Sequence, residues 1–323
     1  MKFFYDFYDE LRYVFKNCED IISKYPYGLR NVGLEYISKY NVFNEKASKN
    51  YICYLLSFWI NHQCKGQIEI CRRIAIANTF MMLFAFIQDD VIDGEMEPQI
   101  IREMLSLGNL FFSEFMGIYR EVFKDKPGIW NYYELYMKNW CRGIFFEQKN
   151  ISTKIELVED ETVCLITDRA ELVKVSAAAI CVLSEKEEMI DIYSKSIERV
   201  LFSLQIADDY IDWKEDIKNK NSNILLYKIM ERRNLKNLSQ IKVEDVKNEL
   251  IFGKLIDWLC IILHENTKKL KKILYNQNLY IEEYNNSILN YMENECSKYY
   301  EKKRAIELGG FSYWIEKNML RNV

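Results

Sequence analysis

The sequence predicts an all-α protein folded as a single domain over residues 1–323. Three observations carry the prediction. Proline and glycine are scarce, at 3 and 11 residues, so tight turns are few and long helices are favoured over a many-stranded sandwich or barrel. Apolar residues recur at helical spacing in segment after segment, while strand-like alternation is rare. Hydrophobic residues make up 49% of the chain, with 23 Tyr, 18 Phe and 6 Trp, enough to fill one large core and line an apolar cavity.

Taken in order, the N-terminal MKFFYDFYDELRYVF is apolar but interrupted by Asp6, Asp9 and Glu10, so no signal peptide is expected. LRYVFKNCEDIISKY and NYICYLLSFWINHQ each carry the periodicity of an amphipathic helix. The longest apolar run, Ile74 to Ile87, is too short for a comfortable membrane span, and no transmembrane segment is expected. Met189 to Phe202 again shows helical spacing. Loops are expected near Lys24 to Asn31, Gly94 to Gln99, Lys124 to Gly128, Lys149 to Lys154, Lys218 to Asn223 and Leu308 to Ser312. Between them run about ten helices. No Pro/Gly/Ser-rich tract and no internal repeat divides the chain.

The formal net charge of -4, without a basic stripe, argues against a nucleic-acid surface. Nine cysteines show no CxxC pair and no regular framework, which reads as reduced core thiols in a cytoplasmic protein.

Two acidic clusters stand where apolar helices stop. In FIQDDVIDGE, Asp89 and Asp93 are four residues apart and share a helix face with Met82, Ala85 and Phe86, while Asp90 beside them is a further candidate metal ligand. The C-terminal end of a helix already carries partial negative charge, so carboxylates gathered there call for a cation or open solvent. In QIADDYIDWKED, Asp208, Asp212 and Asp216 fall at i, i+4 and i+8, below Leu201, Leu204 and Gln205 on the same face. A solvated helix end explains either cluster alone. Hard oxygen ligands in this number suit Mg²⁺, which keeps waters and shares its shell with substrate phosphates.

Other acidic-site chemistries fit poorly. An EF-hand loop beginning at Asp89 would need an oxygen ligand at Val91 and a glutamate at Ile100. With His62 and His264 as its two histidines, the chain is short of imidazole for di-iron, zinc or Ser-His and Cys-His nucleophilic systems.

These residues resemble the class I isoprenoid synthases, the superfamily of trans-prenyltransferases and class I terpene cyclases. DDVID, Asp89 to Asp93, resembles the first aspartate-rich motif, and LQIADDYIDWKED resembles the second prenyltransferase motif, FQIxDDxxDxxxD. Asp208, Asp212 and Asp216 also match the spacing of the cyclases' NSE/DTE metal triad. The resemblance implies an all-α bundle with a central apolar cavity. It further implies three Mg²⁺ ions, two on Asp89 and Asp93 and one on the triad, a prenyl diphosphate substrate and, as in relatives, a possible homodimer.

Departures from the pattern separate the branches. No GGKR-like segment holds isopentenyl diphosphate near the N-terminus, where GLRNVG stands, and no RRG follows the first motif, where the chain reads GEMEPQIIR. This favours a cyclase, which needs one diphosphate of C10 to C20. The cyclases' diphosphate-sensing arginine matches Arg169, although Leu172 and Val173 replace the Asp and Gly expected after it. Arg169 could instead pair with Asp168 or Glu171 on a helix surface.

Lys218, Lys220, Tyr300 and Arg304 are further diphosphate-binding candidates, with a solvated surface as the alternative for each. Trp59, Phe84 and Phe86 could line the pocket and stabilise a carbocation, or be plain core. By resemblance, Phe84 and Ala85, just before the first motif, would limit substrate length. The expected activity is therefore metal-triggered ionisation of an allylic diphosphate by a terpene cyclase. The alternatives are a trans-prenyltransferase using isopentenyl diphosphate or another acceptor, and a non-catalytic helical binder of metal or ligand.

Overall fold

In the computed structural model, which describes residues 1–94, 96–146, 159–221, 223–275 and 277–310, every regular element is helical. The order is α1 (Lys2–Tyr5), α2 (Tyr8–Ile22), α3 (Leu29–Tyr40), α4 (Tyr51–Cys64), α5 (Ile68–Ile92), α6 (Pro98–Val122) and α7 (Ile129–Phe146). There follow α8 (Asp160–Thr167), α9 (Lys174–Leu183), α10 (Ile190–Asn219), α11 (Ile224–Arg233), α12 (Val243–Ile251), α13 (Leu255–Leu274) and α14 (Leu279–Glu307). Short 3₁₀ turns occupy Asp168–Val173, Glu187–Met189 and Leu238–Gln240.

Fourteen α-helices among the described residues exceed the ten or so expected from the sequence. The reason lies in the turns. Lys65, Glu185, Lys220, Asn234, Lys254 and Tyr275 all take positive φ, the left-handed conformation usually given to glycine at a helix end. Glycine content therefore undercounts the helix ends. The expected turn at Lys124 to Gly128 separates α6 from α7, whereas α3 begins within the expected loop at Leu29 and α10 persists to Asn219. The expected loop at Lys149 to Lys154 lies outside the described residues, as do the last residues of the one at Leu308 to Ser312.

The helices group into two compact units. The first comprises Met1–Ile144, Asp168–Ile197 and Ile273–Glu283; the second comprises Phe145–Thr167, Glu198–Lys272 and Tyr284–Val323. The chain passes between them five times, and four passages fall inside helices α7, α10, α13 and α14. That is why no linker composition shows in the sequence.

In the first unit α5 is the central element, packed against α2, α4, α6 and α9. Its residues from Cys71 to Ile87 are nearly all buried, which accounts for its being apolar on every side. It is long and apolar enough to cross a membrane by composition, and 72% of its apolar window is buried inside the protein. α6 instead presents one stripe, Met104, Leu107, Phe111, Phe115 and Tyr119, at helical spacing toward α5. Each large side chain buried there stabilises the unit by about 1.5–3 kcal/mol. Trp59 of α4 is fully buried and donates its indole N–H to the Phe3 carbonyl at 2.9 Å, fastening α1 to the core.

The core of the second unit is pinned by polar groups as well as apolar ones. Asn266 of α13 donates to the Arg199 carbonyl (2.6 Å) and to Ser203 Oγ (2.9 Å) on α10. Ser203 in turn donates to Asn285 Oδ1 at 2.8 Å, and Asn285 donates to Thr267 Oγ1 at 2.8 Å. All four side chains are buried, so this linked network fixes the register of α10, α13 and α14 more sharply than apolar contacts would.

Candidate active site

α5 ends where its burial ends. Asp93 caps the helix, Gly94 leaves it with φ of 71°, and Pro98 opens the next helix. The carboxylates of Asp89 and Asp93 emerge side by side at this end, as the four-residue spacing requires. Both meet one cation. Arg169 donates through Nε to Asp89 Oδ1 at 3.4 Å and through Nη2 to Asp93 Oδ2. Asp168 and Glu171, the partners raised as an alternative by the sequence, meet Arg142 and Lys174.

Arg169 stands in the 3₁₀ turn Asp168–Val173, between α8 and α9. Tightening a helical run at this point turns successive side chains in different directions. Asp168 is buried and accepts two hydrogen bonds from Arg142 of α7, from Nε at 2.7 Å and from Nη2 at 2.9 Å. Glu171 is buried with Lys174, which donates to it, and Asn139 donates to Glu171 at 3.3 Å. The Lys174–Glu171 pair was not singled out from sequence; a lysine inside the apolar ELVKVSAAA was the available signal.

Asp90 faces elsewhere. It accepts a long hydrogen bond from the Tyr36 hydroxyl of α3 (3.5 Å), and burial raises its carboxyl above the usual range against the opposing pull of Tyr36 and Lys39. Phe86 stacks on Tyr40 with ring centres 4.7 Å apart, and Phe84 turns to Phe112 of α6 and Trp140 of α7. Ala85 is buried on the Asp89 face.

The second cluster lies on α10, in the second unit. Asp208 and Asp212 are exposed and Asp216 is half-buried. Desolvation and then repulsion from Asp212 push the Asp208 carboxyl up to about 6, an effect that the exposure of the residue moderates. Asp212 and Asp216 are also raised, first by desolvation and then by neighbouring carboxylates. Leu204 is half-buried on the same helix face, and Gln205 donates to Asp209 Oδ1 at 2.7 Å.

Asp209, the second aspartate of the motif, is buried and points inward. It accepts the backbone N–H of Ile224 at 2.6 Å. Asn223 donates to both the Asp209 carbonyl (2.8 Å) and Asp216 Oδ2 (2.7 Å), while its own side-chain oxygen caps α11 through Leu226 N–H. The turn after α10 thus holds Asp216 in place. Sequence reading did not identify Asn223, because its partners come together only when α10 and α11 pack.

Lys218, Lys220 and Arg304 are exposed, and Tyr300 donates its hydroxyl to Asp257 of α13.

Among the described residues no three or more His, Cys, Asp or Glu side chains form a ready-made metal cage. Mg²⁺ does not need one, since one or two carboxylates per ion suffice when water and phosphate complete the octahedron. The donor chemistry fits that ion. Asp89 and Asp93 already converge on one positive group, and the α10 carboxylates, raised first by desolvation, stand close enough to repel one another.

No family model matches the chain, and no curated protein matches it in sequence. Solved structures do match in fold. A geranylgeranyl pyrophosphate synthetase from the archaeon Geoglobus acetivorans superposes with a TM-score of 0.65 at 17% identity, covering 87% of this chain and 98% of that one. A geranylgeranyl pyrophosphate synthase from Lactobacillus brevis gives 0.68 at 13% identity, covering 89% and 98%. A polyprenyl synthase from Caulobacter crescentus, solved with calcium and isoprenyl diphosphate, gives 0.67 at 13%, covering 90% and 96%. The chain has the all-α isoprenoid synthase fold.

Proposed function

We propose that the protein is a Mg²⁺-dependent prenyltransferase that ionises an allylic prenyl diphosphate and joins the carbocation to isopentenyl diphosphate or another acceptor. The observation that carries this reading is the convergence of Asp89 and Asp93, at the end of a buried apolar helix, on one cationic group. Transferase is favoured over the cyclase expected from sequence because the matching structures are named as prenyl and polyprenyl synthases over nearly their whole length. The second motif, LQIADDYIDWKED, resembles the second prenyltransferase motif, FQIxDDxxDxxxD.

Asp89 and Asp93 would hold Mg²⁺ on α5, and Asp208, Asp212 and Asp216 would hold it on α10. Bound Mg²⁺ supplies positive charge that stabilises the diphosphate as it leaves. Arg169, released from the carboxylates, would turn its guanidinium to the diphosphate oxygens as a bidentate donor. The allylic C–O bond breaks with its electron pair on the diphosphate. The acceptor's double bond then forms the new C–C bond, and a proton is lost from the adjacent carbon. Apolar side chains such as Met82 and Ala85 would exclude the water that would quench the cation as an alcohol.

A second reading, the terpene cyclase, is favoured by one observation: neither the GGKR-like nor the RRG segment is present. The test is product analysis with Mg²⁺ and geranyl, farnesyl or geranylgeranyl diphosphate, each with and without isopentenyl diphosphate. A longer prenyl diphosphate formed only with both substrates supports the transferase. A hydrocarbon or alcohol from one substrate alone moves the assignment to the cyclase, and no diphosphate release under any condition leaves the binding protein. Under either enzyme reading, Asp89→Ala and Asp208→Ala are each expected to lower turnover at least about 100-fold with helical circular dichroism unchanged. Full activity in both variants would overturn the site.

A further inference from the structure

The end of α7 touches the turn that carries Arg169 in two independent ways, one by shape and one by charge. Gly143 is buried against it. A Cβ built there would lie 2.5 Å from the Arg169 backbone nitrogen, 2.7 Å from the Asp168 carbonyl carbon and 2.8 Å from Asp168 Cβ. The nearest of these are backbone atoms, which cannot move aside as the tip of a flexible side chain can. Any larger residue at 143 must shift the turn. The preceding residue, Arg142, holds the buried Asp168 carboxylate through two hydrogen bonds. Adjacent residues on α7 therefore fix adjacent residues of the turn, and the second of these is Arg169. A helix glycine costs about 1 kcal/mol relative to alanine, so its presence in α7 calls for such a reason.

We infer that Gly143 and the Arg142–Asp168 pair are positioning residues for Arg169: they set where its guanidinium meets Asp89 and Asp93, and so how readily those carboxylates exchange it for Mg²⁺. The inference rests on the metal role proposed above for Asp89 and Asp93. While the guanidinium sits on both carboxylates, it competes with a metal ion for them. Relieving Cβ contacts of 2.5–2.8 Å displaces the turn, disturbs the 3.4 Å contact to Asp89 and weakens that competition.

The experiment is calorimetric titration of the substrate-free protein with MgCl₂ alone, so its readout is independent of turnover. Arg169→Gln is expected to tighten Mg²⁺ binding about three- to fivefold, the factor matching a partly exposed ion pair. Gly143→Ala should tighten it in the same direction. Combined with Arg169→Gln it should add nothing further, because the two act through one guanidinium. Should Gly143→Ala fail to fold, the double variant Arg142→Gln/Asp168→Asn removes the pin without leaving a buried unpaired charge, and takes the same titration.

The inference is overturned if Arg169→Gln tightens binding while Gly143→Ala, or the substitute double variant, binds as the wild type does. It is equally overturned if the Gly143 and Arg169 effects simply add. An absence of Mg²⁺ binding in every protein, wild type included, would instead remove the metal reading itself.

Discussion

At the scale of single residues, burial decides which acidic groups are held in tension. Glu114 of α6 is half-buried, and desolvation raises its carboxyl above the ordinary glutamate range, with Lys24 pulling it back only in part. A raised carboxyl favours the folded state below the unfolded pKa, and this contribution is lost as pH rises through the folded value. Glu114→Gln is therefore expected to stabilise the protein at pH 8 and to do little at pH 4. Melting temperatures of both proteins at the two pH values check this; an equal shift at both would show that the effect is packing rather than charge. Asp89 and Asp93 instead meet a guanidinium, that of Arg169. The sequence showed that Asp89 and Asp93 share a face, because four residues make about one turn. It did not show Asp90 turned to Tyr36, since α3 lies some fifty residues away in the chain.

At the scale of elements, the informative places are where helices end. The acidic motifs were legible because apolar periodicity stops there; the first closes α5 as expected, whereas the second lies along α10, which continues as helix to Asn219. The joint between α10 and α11 was not, since Asn223 reads as one more polar loop residue in KNKNSN. In the structure it caps α11 and binds both the Asp209 carbonyl and Asp216. Asn223→Ala removes the cap and frees Asp216 to move, and is expected to cost about 1–2 kcal/mol of unfolding free energy in a urea titration. If the joint also positions Asp216 for metal, turnover should fall more at low than at saturating Mg²⁺. A uniform loss at every Mg²⁺ concentration would leave Asn223 a structural cap alone. The 3₁₀ turn bearing Arg169 was likewise invisible in DRAELV, which reads as ordinary helix; the close approach of α7 at Gly143 is a tertiary fact.

At the scale of the whole molecule, two charged partners that are each unbalanced alone should stabilise the fold best together. Mg²⁺ held by one or two aspartates completes its shell with water and gains few protein contacts, and diphosphate without metal meets a protein of net charge -4. Mg²⁺ and inorganic diphosphate together are expected to raise the melting temperature by more than the sum of their separate effects. At 100 times the dissociation constant, binding stabilises by about 2.7 kcal/mol. Chelation with EDTA should return the melting temperature to that of the bare protein. Additive shifts, or none, would argue against a shared metal–diphosphate site.

By itself the sequence determined the helical class, the acidic end of α5 and the register that puts Asp208, Asp212 and Asp216 on one face. These are local consequences of a 3.6-residue period and of where apolar residues run out. It left open what Arg169 pairs with, which aspartate of the second motif turns inward and how many helices there are. Those were decided by packing. Arg169 is 76 residues from Asp93, the Ile224 N–H takes Asp209 across a turn, and residues other than glycine close turns at positive φ because the surrounding contacts hold them there. Such features depend on atoms brought together from distant parts of the chain, which no local pattern records.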